Sequence, residues 1–130
     1  MSDLSFFVPG VPAPQGSKSM SRSGHMYEAN KRLKPWRETL VHHAARAYHG
    51  EPIDAPVRVT AVFYFPKPRT TRFKHYPAGK PDTDKLCRAV LDSLTIARVI
   101  RDDARVVELS ARKEWANTKT GAQITVELVE

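Results

Sequence analysis

The chain has 130 residues, enough for one domain that buries roughly two-thirds of its unfolded surface without disulfides. Its only cysteine excludes an internal disulfide and is typical of a reducing compartment, so we expect a cytoplasmic protein. The N-terminus lacks the basic and apolar stretches of a signal peptide, and no run of about eighteen apolar residues predicts a membrane span.

The formal charge of +7 is unevenly distributed along the chain. Residues 1–80 contain 13 Lys and Arg against 5 Asp and Glu, whereas residues 81–130 contain 8 against 9. A basic region beside an acidic one favours a polyanionic partner that is brought to a bound cation. Charge alone leaves open the alternative that the protein is merely basic and soluble.

The first half of the chain predicts a strand, a loop, a helix and a strand. Residues 4–8 predict a short strand, and the basic loop that follows at about residues 9–34 is rich in Pro, Gly, Ser, Lys and Arg. Pro35 suits the start of an amphipathic helix, which Gly50 ends. In residues 57–65, rich in β-branched and aromatic types, every second side chain is apolar, which indicates a strand with one buried face.

The second half begins with another basic loop, at about residues 66–81, with five Lys and Arg and no acidic residue. Its cations can contact phosphates and its aromatic side chains can stack on bases, although the composition equally suits a solvated linker. A stripe of small and apolar residues predicts a helix over about residues 84–97. Strands at about residues 105–115 and 122–129 are expected to pair as a hairpin.

The predicted order strand, helix, strand, helix, strand, strand indicates one α+β domain over residues 1–130 with a mixed β-sheet. The segment GVPAPQGSK does not have the spacing of a phosphate loop, so we expect no nucleotide cofactor. The histidines lack the spacing of a zinc site, and one cysteine cannot build a zinc knuckle. Cys87 is expected to be a packing residue rather than a nucleophile.

Four aspartates flank the second predicted helix. Asp82 and Asp84 lie at its beginning, and Asp102 and Asp103 follow it in the turn towards the next strand. Bringing two carboxylates to about 4 Å costs on the order of 1 to 4 kcal/mol, which a hard cation such as Mg²⁺ offsets. Such a cation serves phosphodiester hydrolysis. Helix capping and turn formation are the structural alternative, although capping requires one aspartate rather than four.

These aspartates belong to a longer pattern: Asp82-x-Asp84-x-Leu86, Ala89-Val90-Leu91-Asp92-Ser93-Leu94 and Asp102-Asp103-Ala104-x-Val106-Val107. The pattern resembles the core signature of RusA-type crossover junction endodeoxyribonucleases, most closely over about residues 80–109. The resemblance implies a homodimer that binds four-way (Holliday) junctions and cuts two opposed strands symmetrically with Mg²⁺ or Mn²⁺. It also implies a role in DNA recombination and repair, in bacteria or their phages.

The resemblance implies that the essential metal-binding and catalytic acids are Asp82, Asp84 and Asp103, with Asp102 as a supporting metal ligand. Where the family commonly has a catalytic lysine, this chain has Arg88. We assign phosphate stabilisation to Arg88, because arginine stays charged and cannot plausibly transfer a proton. The alternative is a surface arginine that pairs with Asp84 or Asp92.

The cations expected to bind DNA phosphates lie in or next to the two basic loops. They are Lys18, Arg22, Lys31, Arg32, Lys67, Arg69, Arg72, Lys74 and Lys80. Two other functions stay open: a basic DNA-binding accessory protein whose aspartates are only structural, and a nuclease for flaps or other branched DNA. Metal-dependent cleavage distinguishes the accessory protein from both nucleases.

Overall fold

The computed structural model describes residues 3–16, 18–20, 26–28 and 31–130. In chain order the elements are β1 (Leu4–Pro9), β2 (Lys18–Met20), β3 (Met26–Glu28), α1 (Leu33–Ala47), β4 (Val57–Phe65), α2 (Thr83–Ile96), a short 3₁₀ helix (Asp103–Arg105), β5 (Val106–Trp115) and β6 (Gly121–Leu128). The predicted α+β class and the predicted order of the main helices and strands are confirmed.

A four-stranded mixed sheet with strand order β1-β6-β4-β5 forms the framework. Every second residue of β4, from Val57 to Phe65, is buried, so one face of this central strand points into the core. The helices α1 and α2 pack against each other and against the sheet. Apolar side chains such as Leu40 of α1, Leu86 of α2 and Phe63 of β4 fill the space between these layers.

The predicted hairpin of the last two strands is wrong. β6 lies between β1 and β4 and is antiparallel to both, whereas β5 pairs in parallel with β4. The side chains explain the choice: Ala122, Ile124 and Val126 of β6 are buried, as a central strand requires, while no residue of β5 is buried and half of its residues are exposed. Charged residues such as Glu108 and Arg112 are typical of an edge strand.

Gly121 permits β6 to begin against β1. Its φ is +149°, and a Cβ atom there would collide with the carbonyl oxygen of Val8 on the neighbouring strand. Only glycine combines that backbone conformation with so close an approach. This position therefore helps to fix the register in which β6 enters the centre of the sheet.

The segment at residues 9–34, for which the sequence predicted no strand, contains a short antiparallel pair of β2 and β3, with Lys18 opposite Glu28. Helix α1 begins at Leu33, two residues before the predicted start. Pro35 remains in the first helical turn, where its missing N–H group has no helical acceptor to lose. Helix α2 agrees with its predicted bounds to within one residue at each end.

The direction of the strands defines two edges of the sheet. β1 and β4 are both antiparallel to β6, and β5 is parallel to β4, so β1, β4 and β5 run in the same direction. We call the edge where these three strands end the carboxyl edge and the opposite one the amino edge. Both predicted basic loops and the start of α2 lie at the carboxyl edge, while the turn between α2 and β5 lies at the amino edge.

No helix in the described part of the chain is long and apolar enough to cross a membrane.

Candidate active site

Two aspartates project from the start of α2 at the carboxyl edge. Asp82 is the N-cap residue of the helix, yet its side chain makes no capping hydrogen bond. Its carboxylate is half exposed, with Lys85 Nζ at 3.6 Å from Oδ2. Asp84, in the first turn, is exposed and has no hydrogen-bond or salt-bridge partner among the described residues. Helix capping by its side chain therefore does not account for Asp82, and both carboxylates are accessible to a ligand.

Lys113 holds the backbone that precedes this pair of aspartates, and no pattern in the sequence predicted this role. Its Nζ donates hydrogen bonds to the carbonyl oxygens of Gly79, at 2.7 Å, and of Pro81, at 2.8 Å. Pro81 immediately precedes Asp82, so Lys113 fixes the backbone that presents this carboxylate. Burial lowers the pKa of the Lys113 ammonium, and the nearby Asp82 acts in the opposite direction.

The two predicted basic loops meet in a cleft next to these aspartates. The cleft has a volume of about 350 Å³. Residues 11–14 line one side, and residues of the 66–81 segment, including Phe73 and Lys80, line the other. The backbone N–H of Gln15 donates to the carbonyl oxygen of Lys85 at 2.9 Å, which attaches the first loop to the first turn of α2. Proline and aromatic rings thus form much of the wall of the cleft, together with the cations Arg32, Lys80 and Lys113.

Arg88 lies one turn beyond Asp84 and is exposed. Its guanidinium packs against the backbone of Gly16, where a Cβ atom would collide with it. The alternative pairing of Arg88 with Asp84 or Asp92 is not found among the described contacts, and Asp92 pairs with Arg37 at 2.7 Å. No salt bridge joins Arg88 to any described carboxylate, so its charge can reach a phosphate.

Most of the predicted DNA-binding cations are exposed, and two of them, Arg32 and Lys80, line the cleft. Exposed are Lys31, Arg32, Lys67, Arg69, Arg72, Lys74 and Lys80. Within the second loop, Lys67 Nζ donates to the carbonyl oxygen of Lys74 at 2.7 Å, and the Arg72 guanidinium lies 4.7 Å from the centre of the Phe73 ring. Lys18 belongs to β2, where only the backbone is described, and Arg22 lies outside the described residues.

The other two aspartates lie at the amino edge. Asp102 Oδ1 accepts a hydrogen bond from the backbone N–H of Ala104 at 2.9 Å and so caps the short 3₁₀ helix. Asp103 Oδ1 accepts a short hydrogen bond from the hydroxyl of Thr95, in the last turn of α2. The predicted turn-forming role is therefore real for Asp102, although each carboxylate keeps a second oxygen without a hydrogen bond among the described residues.

The structure does not bring the four aspartates together. Helix α2 has 14 residues, which corresponds to a length of about 21 Å at 1.5 Å per residue. Asp82 and Asp84 lie at one end of it, and Asp103 is bonded to the other. Accordingly, no three His, Cys, Asp or Glu side chains of the described residues form a group that could hold a metal ion. A single chain thus presents two separate acidic pairs.

A sequence model of the family described as Endodeoxyribonuclease RusA matches residues 9–127. The chain belongs to the RusA endodeoxyribonuclease family. The match spans nearly the whole sequence and includes both acidic pairs, both helices and both basic loops. No curated protein sequence gives a significant match to the chain.

Membership of the RusA endodeoxyribonuclease family identifies the chain as a DNA endonuclease. Cys87 is not a competing nucleophile. It is 5% exposed, and burial, with a smaller contribution from Asp84, raises the pKa of its thiol to about 11. The thiol therefore stays protonated at neutral pH, in agreement with the predicted packing role.

Proposed function

We propose that this chain is a Mg²⁺-dependent (or Mn²⁺-dependent) endonuclease that resolves four-way DNA junctions by paired, symmetric phosphodiester cleavage. It acts as a homodimer in DNA recombination and repair, in the cytoplasm of a bacterium or of a phage-infected bacterial host. The observation that carries the proposal is the match to the RusA family over residues 9–127, which contains the accessible Asp82 and Asp84 beside a basic cleft.

The chemistry of the first acidic pair supports metal dependence. Two accessible carboxylates two residues apart repel each other, and among the described residues their charge is compensated only by the 3.6 Å pair of Asp82 with Lys85. A hard divalent ion prefers such oxygen ligands and keeps positions open for water and phosphate. When bound, it would polarise the phosphoryl group and lower the pKa of a coordinated water. The residues of one chain supply only part of the coordination sphere.

The surroundings of the cleft support DNA as the ligand. Lys67, Arg72 and Lys80 extend from one loop, and Arg88 lies one helical turn from Asp84. Cations at these positions neutralise successive backbone phosphates, which supplies affinity without sequence specificity. The guanidinium of Arg88 would bind a phosphate close to the acids, since arginine can hold a phosphate in bidentate fashion.

One observation favours a second function. Because the acidic pairs are separated within the chain and Asp102 caps a turn, the aspartates could serve folding alone, as in a DNA-binding accessory protein without catalysis. A nuclease for flaps or other branched DNA would use the same carboxylates and cations and differ only in the shape of its substrate.

The deciding experiment is cleavage of a labelled synthetic four-way junction and of a linear duplex, in Mg²⁺ or in EDTA, by the wild type and by Asp82→Asn. The proposal expects symmetric cuts in the junction that require Mg²⁺ and disappear in the variant. Asp3→Asn, which changes an exposed aspartate just before β1, is the matched control and should cut normally. Tight junction binding without cutting in Mg²⁺ or Mn²⁺ would identify the accessory protein, and preferential cutting of flaps would change the substrate.

A further inference from the structure

The first basic loop is attached to one face of α2. The backbone N–H of Gln15 donates to the carbonyl oxygen of Lys85 at 2.9 Å, and the Gln15 side chain donates to Asp92 Oδ2 at 3.5 Å. The next residue, Gly16, lies against the guanidinium of Arg88. Lys85, Arg88 and Asp92 follow each other at spacings of three and four residues, so they share one face of the helix. The loop therefore contacts α2 before, at and after Arg88.

Only glycine at position 16 leaves room for this arginine. A Cβ atom there would collide with Nη1 of Arg88 and would lie 3.1 Å from its Cδ atom. The φ of Gly16 is +116°, a backbone conformation that other residues rarely adopt. Because the colliding atoms belong to the end of a flexible side chain, a methyl group at this position would displace the guanidinium rather than the backbone. The location of the guanidinium thus depends on Gly16.

We propose that Gly16, held in place by Gln15, is a positioning residue that seats the guanidinium of Arg88 against the DNA phosphate next to the acids of α2. This inference rests on the proposed nuclease function and adds two residues of the first loop that act through Arg88. We call Gln15 and Gly16 together the Arg88 seat.

The seat keeps Arg88 away from two competing carboxylates. Asp84 and Asp92 lie four residues before and after it, the spacing at which an arginine pairs with an acid on a helix surface. In the described part of the chain, Asp92 is engaged by Arg37 at 2.7 Å and by Gln15, and no salt bridge joins it to Arg88. A long side chain on a helix surface also samples many rotamers, which the contact with the loop restricts. The cation therefore stays in one place and available to a phosphate.

A fixed guanidinium serves the chemical step more than it serves binding. A donor that is already in position when charge develops on the phosphoryl oxygens stabilises the transition state without reorganisation. A displacement of about 1 Å at such a position can slow a reaction by roughly 10²-fold. Cations that only neutralise backbone phosphates tolerate such a shift, because their contribution to affinity is mainly long-range electrostatics. Loss of the seat should therefore lower the rate of cleavage and hardly change junction affinity.

A double-mutant cycle tests the proposal. Gly16→Ala should slow single-turnover cleavage at saturating enzyme by about ten- to a hundredfold, while junction affinity in EDTA changes by less than about twofold. Arg88→Ala alone should slow cleavage by about 10²–10³-fold. Adding Gly16→Ala to that chain should change nothing further, because no guanidinium is left to position.

Gly10→Ala is the matched control for backbone strain. Gly10 also has a positive φ, +133°, but a Cβ atom there would meet the ring of Trp36 at 3.3 Å and not Arg88. Whatever its effect on the rate, that effect should be the same in the wild type and in the Arg88→Ala chain. Thermal unfolding compares the stability of the variants. If Gly16→Ala does not fold, Gln15→Ala replaces it in the cycle, with an expected loss of about two- to fivefold that also vanishes in the Arg88→Ala chain.

Nuclear magnetic resonance of the arginine side chains gives a readout that does not depend on cleavage. In protein labelled with ¹⁵N-arginine, the Nε–H signal that disappears in Arg88→Lys belongs to Arg88. We expect a high heteronuclear NOE for this signal in the wild type, and a fall to the value of the exposed Arg98 in Gly16→Ala.

Four outcomes would overturn the positioning role. They are a wild-type rate in Gly16→Ala, an equal loss of rate with and without Arg88, a loss of junction affinity alone, and an Arg88 signal as mobile as that of Arg98 in the wild type. Each of these, in a wild type that cuts junctions with Mg²⁺, would leave the proposed nuclease function intact. A wild type that cuts no junction in Mg²⁺ or Mn²⁺ would reject that function itself.

Discussion

The two ends of α2 carry similar acidic pairs in different surroundings. At the carboxyl edge, the exposed Asp82 and Asp84 make no capping bond and directly follow Lys80 and Pro81, which line a cleft. At the amino edge, Asp102 and Asp103 are hydrogen-bonded by Ala104 and Thr95, next to exposed apolar side chains. Two pairs of carboxylates in one sequence motif therefore differ in their hydrogen bonds and in their neighbours. One pair is accessible to solvent near a cleft, and the other is held by hydrogen bonds beside exposed apolar side chains.

Neutralising one acid at each end is the strongest test of this contrast. We expect Asp84→Asn and Asp103→Asn each to lower junction cleavage by about 10²–10³-fold, because a catalytic metal stabilises transition-state charge by several kcal/mol. Single-turnover cleavage at saturating enzyme measures the loss. Asp54→Asn is the control at the amino edge, since Asp54 pairs with arginines, and it should cut like the wild type. Full activity of Asp103→Asn would confine the site to the carboxyl edge.

Removing the support of Asp82 should have a smaller effect. Lys113→Met deletes the hydrogen bonds to the carbonyl oxygens of Gly79 and Pro81, and we expect about tenfold slower cleavage with little change in junction affinity, from the loss of one or two net hydrogen bonds. Lys113→Arg, which can still donate, should recover part of the rate. Lys119→Met removes an exposed cation from the turn that follows β5 and should have no effect. Equal losses for both Met variants would indicate a general charge effect instead.

The corresponding support at the amino edge is the Thr95 hydroxyl. Thr95→Ala leaves Asp103 without its donor, and we expect cleavage to slow by about three- to tenfold, the equivalent of one net hydrogen bond. Thr95→Ser keeps the hydroxyl and should cut nearly normally. Rates are compared after thermal unfolding has shown that both variants are folded. A normal rate for Thr95→Ala would mean that Asp103 is positioned by other contacts.

The basic loop should affect binding rather than the chemical step. Changing Arg72 and Lys74 to Ala should reduce the slope of log affinity against log salt by about 0.9 for each DNA phosphate that is no longer neutralised. Cleavage at saturating enzyme should hardly change. Filter binding over a range of salt concentrations measures the slope. Arg46→Ala, at the far end of α1, is the control, and an equal change there would show that only net charge matters.

The prediction of local structure from the sequence succeeded where the signal lies within one element. The alternation over residues 57–65 and the apolar stripe of α2 predicted bounds within one residue, because burial of one face imposes a period on the side chains. The accessibility of Arg88 followed from the same periodicity, whereas the packing of Cys87 followed from its residue type within the predicted helix. The contiguous pattern of aspartates also sufficed to indicate the family, which the match over residues 9–127 confirmed.

The helices and most of the strands could thus be predicted from the order of residues, since these features depend on neighbours within a few positions. Three others required the folded chain: β6 lies between β1 and β4, Lys113 bonds to the backbone before Asp82, and α2 separates the acidic pairs. These features depend on which strands pair across long stretches of chain. Strands that follow each other in the sequence, such as β5 and β6, can show the same local pattern whether or not they pair. The order of the strands depends instead on how the whole sheet buries its apolar side chains.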